Sequence, residues 1–406
     1  MLKSTITTAL LLAVQITGYS QWEEKNIPTN STLTCVDFAS ENIGFVTGGN
    51  KIYKTENGGD TWATSYTASD LVIYEDIFVI DDETIIAVGK DLDSNQSAIT
   101  KTENGGTDWA EATISNPSFL RSVFFISPEV GFCSGGGGTI LKSINGGDSW
   151  QALNTGTDLN LQSIFFVNEM VGIAVGGFPS SAVILKTQDG GFNWNPINSP
   201  SNNNLQSVYF SNQDTGYIVG WNGEIMRTED CGGNWTIQSS VAMTGNLEVT
   251  FTDDQTGYIV GGSLNEPLIQ KTTNGGDLWE DISPQIPAGL VCIQFPSFNV
   301  GYAVGENGTI VKTESGGVMT NTNNLEFSDQ FRAFPNPTNG TLNIESEYSN
   351  RIDRLRIYDS NGRAIKEYKL NSFNVQTDLS DLEPNVYYLE IISKKKKEIK
   401  KIVKKN

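Results

Sequence analysis

Apolar residues in this chain come in short runs separated by glycine-rich turns, and the same series of runs recurs along most of its length. The first run alternates, as in LQSVYF (205–210). The second opens on glycine: GFVTG at Gly44, GFCSG at Gly131, GIAVG at Gly172, GYIVG at Gly216 and Gly257, GYAVG at Gly301, with IIAVG at Ile85 as a variant. A third, such as GEIMRT, leads into a glycine-rich octad that ends in tryptophan at Trp62, Trp109, Trp150, Trp194, Trp235 and Trp279. Successive tryptophans lie 47, 41, 44, 41 and 44 residues apart, and a seventh octad, TESGG from Thr313, lacks its tryptophan. Runs this short and glycine-bounded predict strands, and a fixed period of this size predicts a repeat architecture. Four antiparallel strands per unit, A to D, repeated radially, predict an all-β, seven-bladed β-propeller.

Closure leaves its own mark. Trp22 stands apart from the octads, 13 residues before Cys35 on the first strand A, and Trp150 precedes Ser163 and Trp194 precedes Ser207 by the same 13. Trp22 is therefore expected to supply the missing strand D of the seventh blade from the other end of the chain, which removes an open sheet edge. The propeller is expected over residues 21–323.

Composition narrows the chemistry. The 406 residues include no histidine, so imidazole ligands, Ser-His-Asp triads and histidine bases are impossible. Residues 21–325 carry 11 Lys or Arg against 35 Asp or Glu, a net of −24, which opposes binding to nucleic acid or anionic lipid. Residues 1–20 pair one lysine with an apolar run and small residues before Gln21, the pattern of a signal peptide, and no other stretch is long and apolar enough for a membrane helix. The four cysteines form no CxxC pair, so neither a zinc site nor a redox motif is expected, nor any cofactor. Cys35 and Cys292 occupy equivalent strand-A positions in blades one and seven. Equivalent residues point the same way around a ring, so these two are not expected to meet, and all four, with Cys133 and Cys231, are expected as free thiols.

Six octads fit the Asp-box pattern Ser/Thr-x-Asp/Asn-x-Gly-x-x-Trp, and with one box per blade the chain resembles the seven-bladed propellers of the photosystem II stability and assembly factor family. Asp boxes also occur in sialidases, sortilin-type receptors and xyloglucan hydrolases, so the resemblance implies an architecture more than an activity. Asn57, Asn104, Asn145, Asp189, Asp230 and Asn274 are expected to brace their turns and the tryptophans to pack between blades. A calcium site would need more oxygen ligands than one per turn. The family's function implies a basic patch, for which Arg121 and Arg227 are the propeller's only arginines; a sialidase would require three.

Beyond residue 323 the repeat stops, and residues 351–406 carry a net charge of +6. After a linker at 324–332, residues 333–406 show alternating runs and Asn-Gly turns at Asn339 and Asn361, the pattern of a small β-sandwich. The phrases PNPTNG, IYDSNGR, DLSDL, YYLEI and KIVKK closely resemble the type A C-terminal sorting domain of the Bacteroidetes type IX secretion system. That resemblance implies the secretion machinery as partner and an extracellular or cell-surface destination. The Lys394–Lys397 run reads as a solvated strand end within that signal.

If A–B turns and Asp boxes share one propeller face, the D–A and B–C loops share the other and vary most. Tyr66, Asp91, Asp93, Phe178, Trp221 and Glu266 are the candidate contacts there for an extracellular protein or glycan. The leading expectation is a non-catalytic binding scaffold. The alternative is a carbohydrate-active hydrolase using paired carboxylates, for which Asp76 and Glu248 on strand A are the candidates, although no spacing makes them face each other.

Overall fold

The computed structural model describes residues 22–112, 118–238, 245–263, 266–317, 331–346, 351–359, 363–393 and 396–405. The expected signal peptide, most of the linker, the Asn361 turn and the first two lysines of the 394–397 run lie outside them.

Seven four-stranded antiparallel sheets form the propeller. Blade one comprises Leu33–Phe38, Gly44–Gly48, Lys51–Thr55 and Ala63–Thr67. Blades two to seven begin with strands A at Val72–Val79, Leu120–Phe125, Leu161–Phe166, Leu205–Phe210, Asn246–Phe251 and Leu290–Gln294. Blade seven takes its strand D from Glu23–Lys25, which pairs with Ile310–Thr313 in the register Glu23 to Lys312, Glu24 to Val311 and Lys25 to Ile310. Trp22 is 6% exposed and meets Phe295 edge-on, as Trp62 meets Phe38 and Trp235 meets Phe210. The wheel closes as its unpaired tryptophan predicts.

Aromatic stacking holds neighbouring blades together. The ring that ends a strand A stacks on the strand-B ring of the blade before it: Phe38 on Tyr302 at 4.2 Å, Phe166 on Phe132 at 3.9 Å, Phe251 on Tyr217 at 4.2 Å and Phe295 on Tyr258 at 4.1 Å. Such geometry adds to the area term that drives burial. It also explains the glycine that opens strand B, because a Cβ on Gly216 would sit 2.7 Å from the Phe210 ring. Blade two ends its strand A with Val79, and Trp109 turns instead to Phe45 and Tyr66.

The Asp boxes are self-contained turns. In blade five the Thr228 hydroxyl donates to Asp230 Oδ1 and accepts the Gly232 N–H, while Asp230 Oδ1 accepts the N–H groups of Gly233 and Asn234. Thr55 and Asn57, Thr102 and Asn104, Ser143 and Asn145, Thr187 and Asp189, and Thr272 and Asn274 repeat the arrangement. The second box glycine has positive φ, +79° at Gly59, where a Cβ would meet Tyr302 at 2.8 Å. Backbone donors thus occupy the Asn and Asp oxygens that a cation would need.

The tail is a β-sandwich. Phe331–Phe334, Thr341–Ser346 and Asn374–Asp378 form one sheet, and Ala364–Ser372, Ile352–Tyr358, Val386–Ser393 and Lys396–Val403 the other. Phe331, Leu342, Ile344, Leu355, Leu389 and Ile391 fill the space between them. Its first strand starts at Phe331, two residues inside the stretch expected as linker, because that fully buried ring belongs to the sandwich core. The tail meets the Asp-box side of the wheel: Tyr358 lies 6.1 Å from Phe298 in an A–B turn, and a cleft of about 470 Å³ separates Asp253 and Asp254 from Arg356 and Arg363.

Candidate functional site

Every strand A carries an irregularity at the same place. Pairing with strand B skips one residue between Leu33 and Cys35, and the same skip falls between Tyr74 and Asp76, Leu120 and Ser122, Leu161 and Ser163, Leu205 and Ser207, Asn246 and Glu248, and Leu290 and Cys292. A bulge of this kind breaks the strict in-out alternation of a strand. Both the skipped residue and the one after it line a single cavity of about 340 Å³ on the propeller axis. The seven pairs are Thr34 and Cys35, Glu75 and Asp76, Arg121 and Ser122, Gln162 and Ser163, Gln206 and Ser207, Leu247 and Glu248, and Val291 and Cys292, with Thr32 above them. Strand A starts from the D–A loop, so these early residues place the cavity mouth on the loop face.

Five of the seven inner members serve the wheel as well as the cavity. An innermost strand has an unpaired edge whose N–H groups need acceptors. The Asp76 carboxylate accepts the Val123 N–H of the next blade at 2.8 Å, Glu248 accepts Ile293 at 2.6 Å, Ser163 accepts Val208 at 3.3 Å, Ser207 accepts Val249 at 3.4 Å, and Cys292 Sγ accepts Val36 at 3.2 Å. Between blades one and two, Asp37 takes this role one layer deeper, accepting Val79 at 2.7 Å. Burial pushes the Glu248 carboxyl up to about 8 and Asp37 up to about 7, against their backbone hydrogen bonds. Asp76 is raised for the same reason, and Glu75 is raised by burial while the Arg121 guanidinium, 3.6 Å away, opposes the shift. Arg121 Nε is buried and has no hydrogen-bond partner among the described residues.

None of the six candidate contact residues lines this cavity. Tyr66 lies on an outer strand D, where its hydroxyl donates to Glu111 at 2.6 Å and its ring leans on Trp109. It belongs to a seam between two blades, which corrects its reading as a loop residue. The others lie on the B–C connections of the loop face. Blades two, four and six extend their B–C connections into long hairpins, with strands Thr84–Asp91 and Gln96–Glu103, Gly172–Phe178 and Ser181–Thr187, and Gly257–Ser263 and Glu266–Thr272. Asp91, Asp93, Phe178 and Glu266 sit at their tips, Phe178 being 47% exposed. Asp91 accepts the Asp93 N–H and the Ser94 hydroxyl, so it shapes its own turn. Trp221, 44% exposed, opens the short turn of blade five between two of the hairpins.

Asp76 and Glu248 do come to one cavity, which their spacing alone left open. Cys35 and Cys292 also meet, with Sγ atoms 3.0 Å apart, contrary to expectation: at the bulge, neighbouring side chains converge on the axis instead of running parallel around it. All four cysteines are free thiols in the structure. The signal for this ring was the tryptophan count itself, because the residue 13 positions after a tryptophan, or 14 in blade two, is the inner member of every pair.

Comparison with known proteins adds to this geometry. Residues 332–405 match the secretion system C-terminal sorting domain. The chain carries a type IX sorting tail. That tail indicates secretion to the cell surface or beyond, and among the described residues no helix is long and apolar enough to cross a membrane. Within the propeller, residues 143–247 and the overlapping stretch 192–289 match photosynthesis system II assembly factor YCF48. No curated protein matches the chain. Among solved structures, "YCF48 bound to D1 peptide" is 19% identical with a TM-score of 0.61, covering 73% of this chain and 96% of that one. YCF48 from Cyanidioschyzon merolae is 18% identical with a TM-score of 0.60, covering 72% and 98%. The WD40 propeller domain of Doa1 is 11% identical with a TM-score of 0.60, covering 74% and 98%. At these identities the likeness is one of fold. The arginine content sets this propeller apart from a basic scaffold: Arg121 faces Glu75, and Arg227 is held by Glu229 and Asp277.

Proposed function

We propose that the protein is an exported, non-catalytic binding scaffold that takes an extended peptide, bearing a basic side chain or free amino group, into the axial mouth of its loop face. The observation that carries this reading is the bulge ring, which turns fourteen strand-A side chains onto one cavity. Carboxylates, hydroxyls and amides there accept hydrogen bonds from a peptide, and Arg121 Nε donates to one of its carbonyls. The acidic propeller steers cationic groups toward the mouth. One YCF48 structure is described as bound to D1 peptide, so a propeller of this fold has held a peptide. Asp91, Asp93, Phe178, Trp221 and Glu266 form a second line of contacts around the opening. The sorting tail docks on the other side, so its removal leaves the mouth untouched.

The hydrolase alternative draws on Asp76 and Glu248 sharing the cavity. Both carboxylates accept strand-edge N–H groups, which occupies lone pairs that acid–base catalysis would use. Calorimetric titration of the full chain with lysine-containing peptides, and with acetylated lysine-free controls, tests the reading. Glu75→Gln and Arg121→Ala are expected to weaken binding about tenfold or more. Binding indifferent to both variants, or release of reducing sugar from a glycan panel that Glu248→Gln abolishes, overturns it.

A further inference from the structure

We propose that Cys35 and Cys292 form a disulfide in the exported protein and lock blade seven, in which the two ends of the propeller chain meet, to blade one. The sulfurs already lie 3.0 Å apart, about 1 Å beyond bonding distance, and Cys292 is held in place by the Val36 N–H. The position is singular. Strands A to C of blade seven and the whole of blade one come from opposite ends of the propeller chain, and Glu23–Lys25, which runs on into blade one, holds only the outer edge of blade seven. A bond between the two cysteines fastens its inner edge to blade one, so the wheel closes at rim and axis together. The other seams rely at this level on hydrogen bonds such as Asp76 to Val123 and Glu248 to Ile293.

The chemistry is a thiol–disulfide exchange. The two thiols give up two protons and two electrons, one S–S bond forms, and a disulfide oxidant outside the cytoplasm is reduced to two thiols. Both sulfurs line the axial cavity, which gives a small disulfide a path to them. In the closed wheel the hydrogen bond with Cys292, and then burial, keep the Cys35 thiol protonated, and burial does the same for Cys292, which slows attack. The bond therefore forms slowly in the closed wheel and faster while the seam is still closing.

This inference rests on the export reading, and two measurements keep their failures apart. First, the reduced full chain is equilibrated with a glutathione redox buffer, denatured, alkylated and mapped by mass spectrometry. The expected result is one cross-linked peptide pair joining Cys35 to Cys292, with Cys133 and Cys231 alkylated; four alkylated cysteines, or any other pairing, overturn the proposal. Oxidation is also expected to raise the thermal midpoint by several degrees. Cys292→Ser, which retains an acceptor for the Val36 N–H, is expected to abolish the rise. Second, the protein is recovered without reductant from the surface and medium of its own cells. The same cross-link there supports the proposal, and alkylation at both positions overturns it. Absence of the protein from both fractions overturns the export reading alone, and the first measurement still decides the pairing.

Discussion

The two faces of the propeller use repetition in opposite ways. On the Asp-box side, six turns repeat one hydrogen-bond pattern with nearly one set of residues, and blade seven keeps it in part, with Thr313 Oγ1 accepting the Gly317 N–H. On the axis, seven equivalent positions hold Cys, Asp, Ser, Ser, Ser, Glu and Cys. The backbone task is the same in both places, to satisfy N–H groups that a sheet leaves unpaired. A tight turn admits few side chains that can do it, whereas an edge N–H beside a cavity can donate to many side chains that bear an oxygen or sulfur. Residue identity on the axis is thus free to serve something else.

The comparison can be broken at several points. The largest effect is expected from Trp22→Ala, which removes the ring that seals blade seven and should cost about 3–5 kcal/mol by denaturant unfolding. Trp109→Ala should cost less, because its ring is only half-buried. Equal losses would mean that closure contributes nothing special. Thr228→Val deletes the hydroxyl that bonds Asp230 and Gly232 and should cost about 1–3 kcal/mol; a loss below about 0.5 kcal/mol would make the rim pattern incidental.

A pH series separates the faces by sign. The axial carboxyls of Asp37 and Glu248 titrate above their unfolded values, so their contribution is complete below about pH 4 and is lost as pH rises through about 7 to 8. Asp189 and Asp230 behave oppositely. Hydrogen bonds from Asn193 and Asn234 hold them down to about 2, so their contribution is present above about pH 4 and lost as pH falls through 2. The thermal midpoint should fall by several degrees between pH 5 and pH 8.5, and Glu248→Gln should flatten that slope. The smallest effect is expected from Asp189→Asn at neutral pH, a midpoint shift of about 1 °C or less, because four other blades already carry asparagine there.

The fold was legible because its marks are discrete. Glycines that cannot bear a Cβ, an octad ending in tryptophan, and a lone Trp22 at a fixed offset each have one structural meaning here. The axial site was not legible by the same means. Period-two alternation assigns Thr34 and Cys35 to opposite faces of a strand, and the bulge between Leu33 and Cys35 cancels that rule at the point where the cavity forms. Variable loops drew the candidate contacts outward to Phe178 and Trp221, on B–C connections away from strand A, and to Tyr66, which an outer strand absorbs. The cysteine pair failed for the same reason as the ring: a sequence offset locates a residue along a strand but not the turn of its side chain at a bulge.

Joining Glu23 to Lys312 also sets an order of events. The segment that completes the wheel is made before the rest of the propeller, and its docking strand is the last of the propeller to follow. Pairings this remote along the chain are slow to form. Six blades can assemble in sequence while the final one waits with an unsatisfied edge, so the pairing of Glu23–Lys25 with Ile310–Lys312 completes the wheel last.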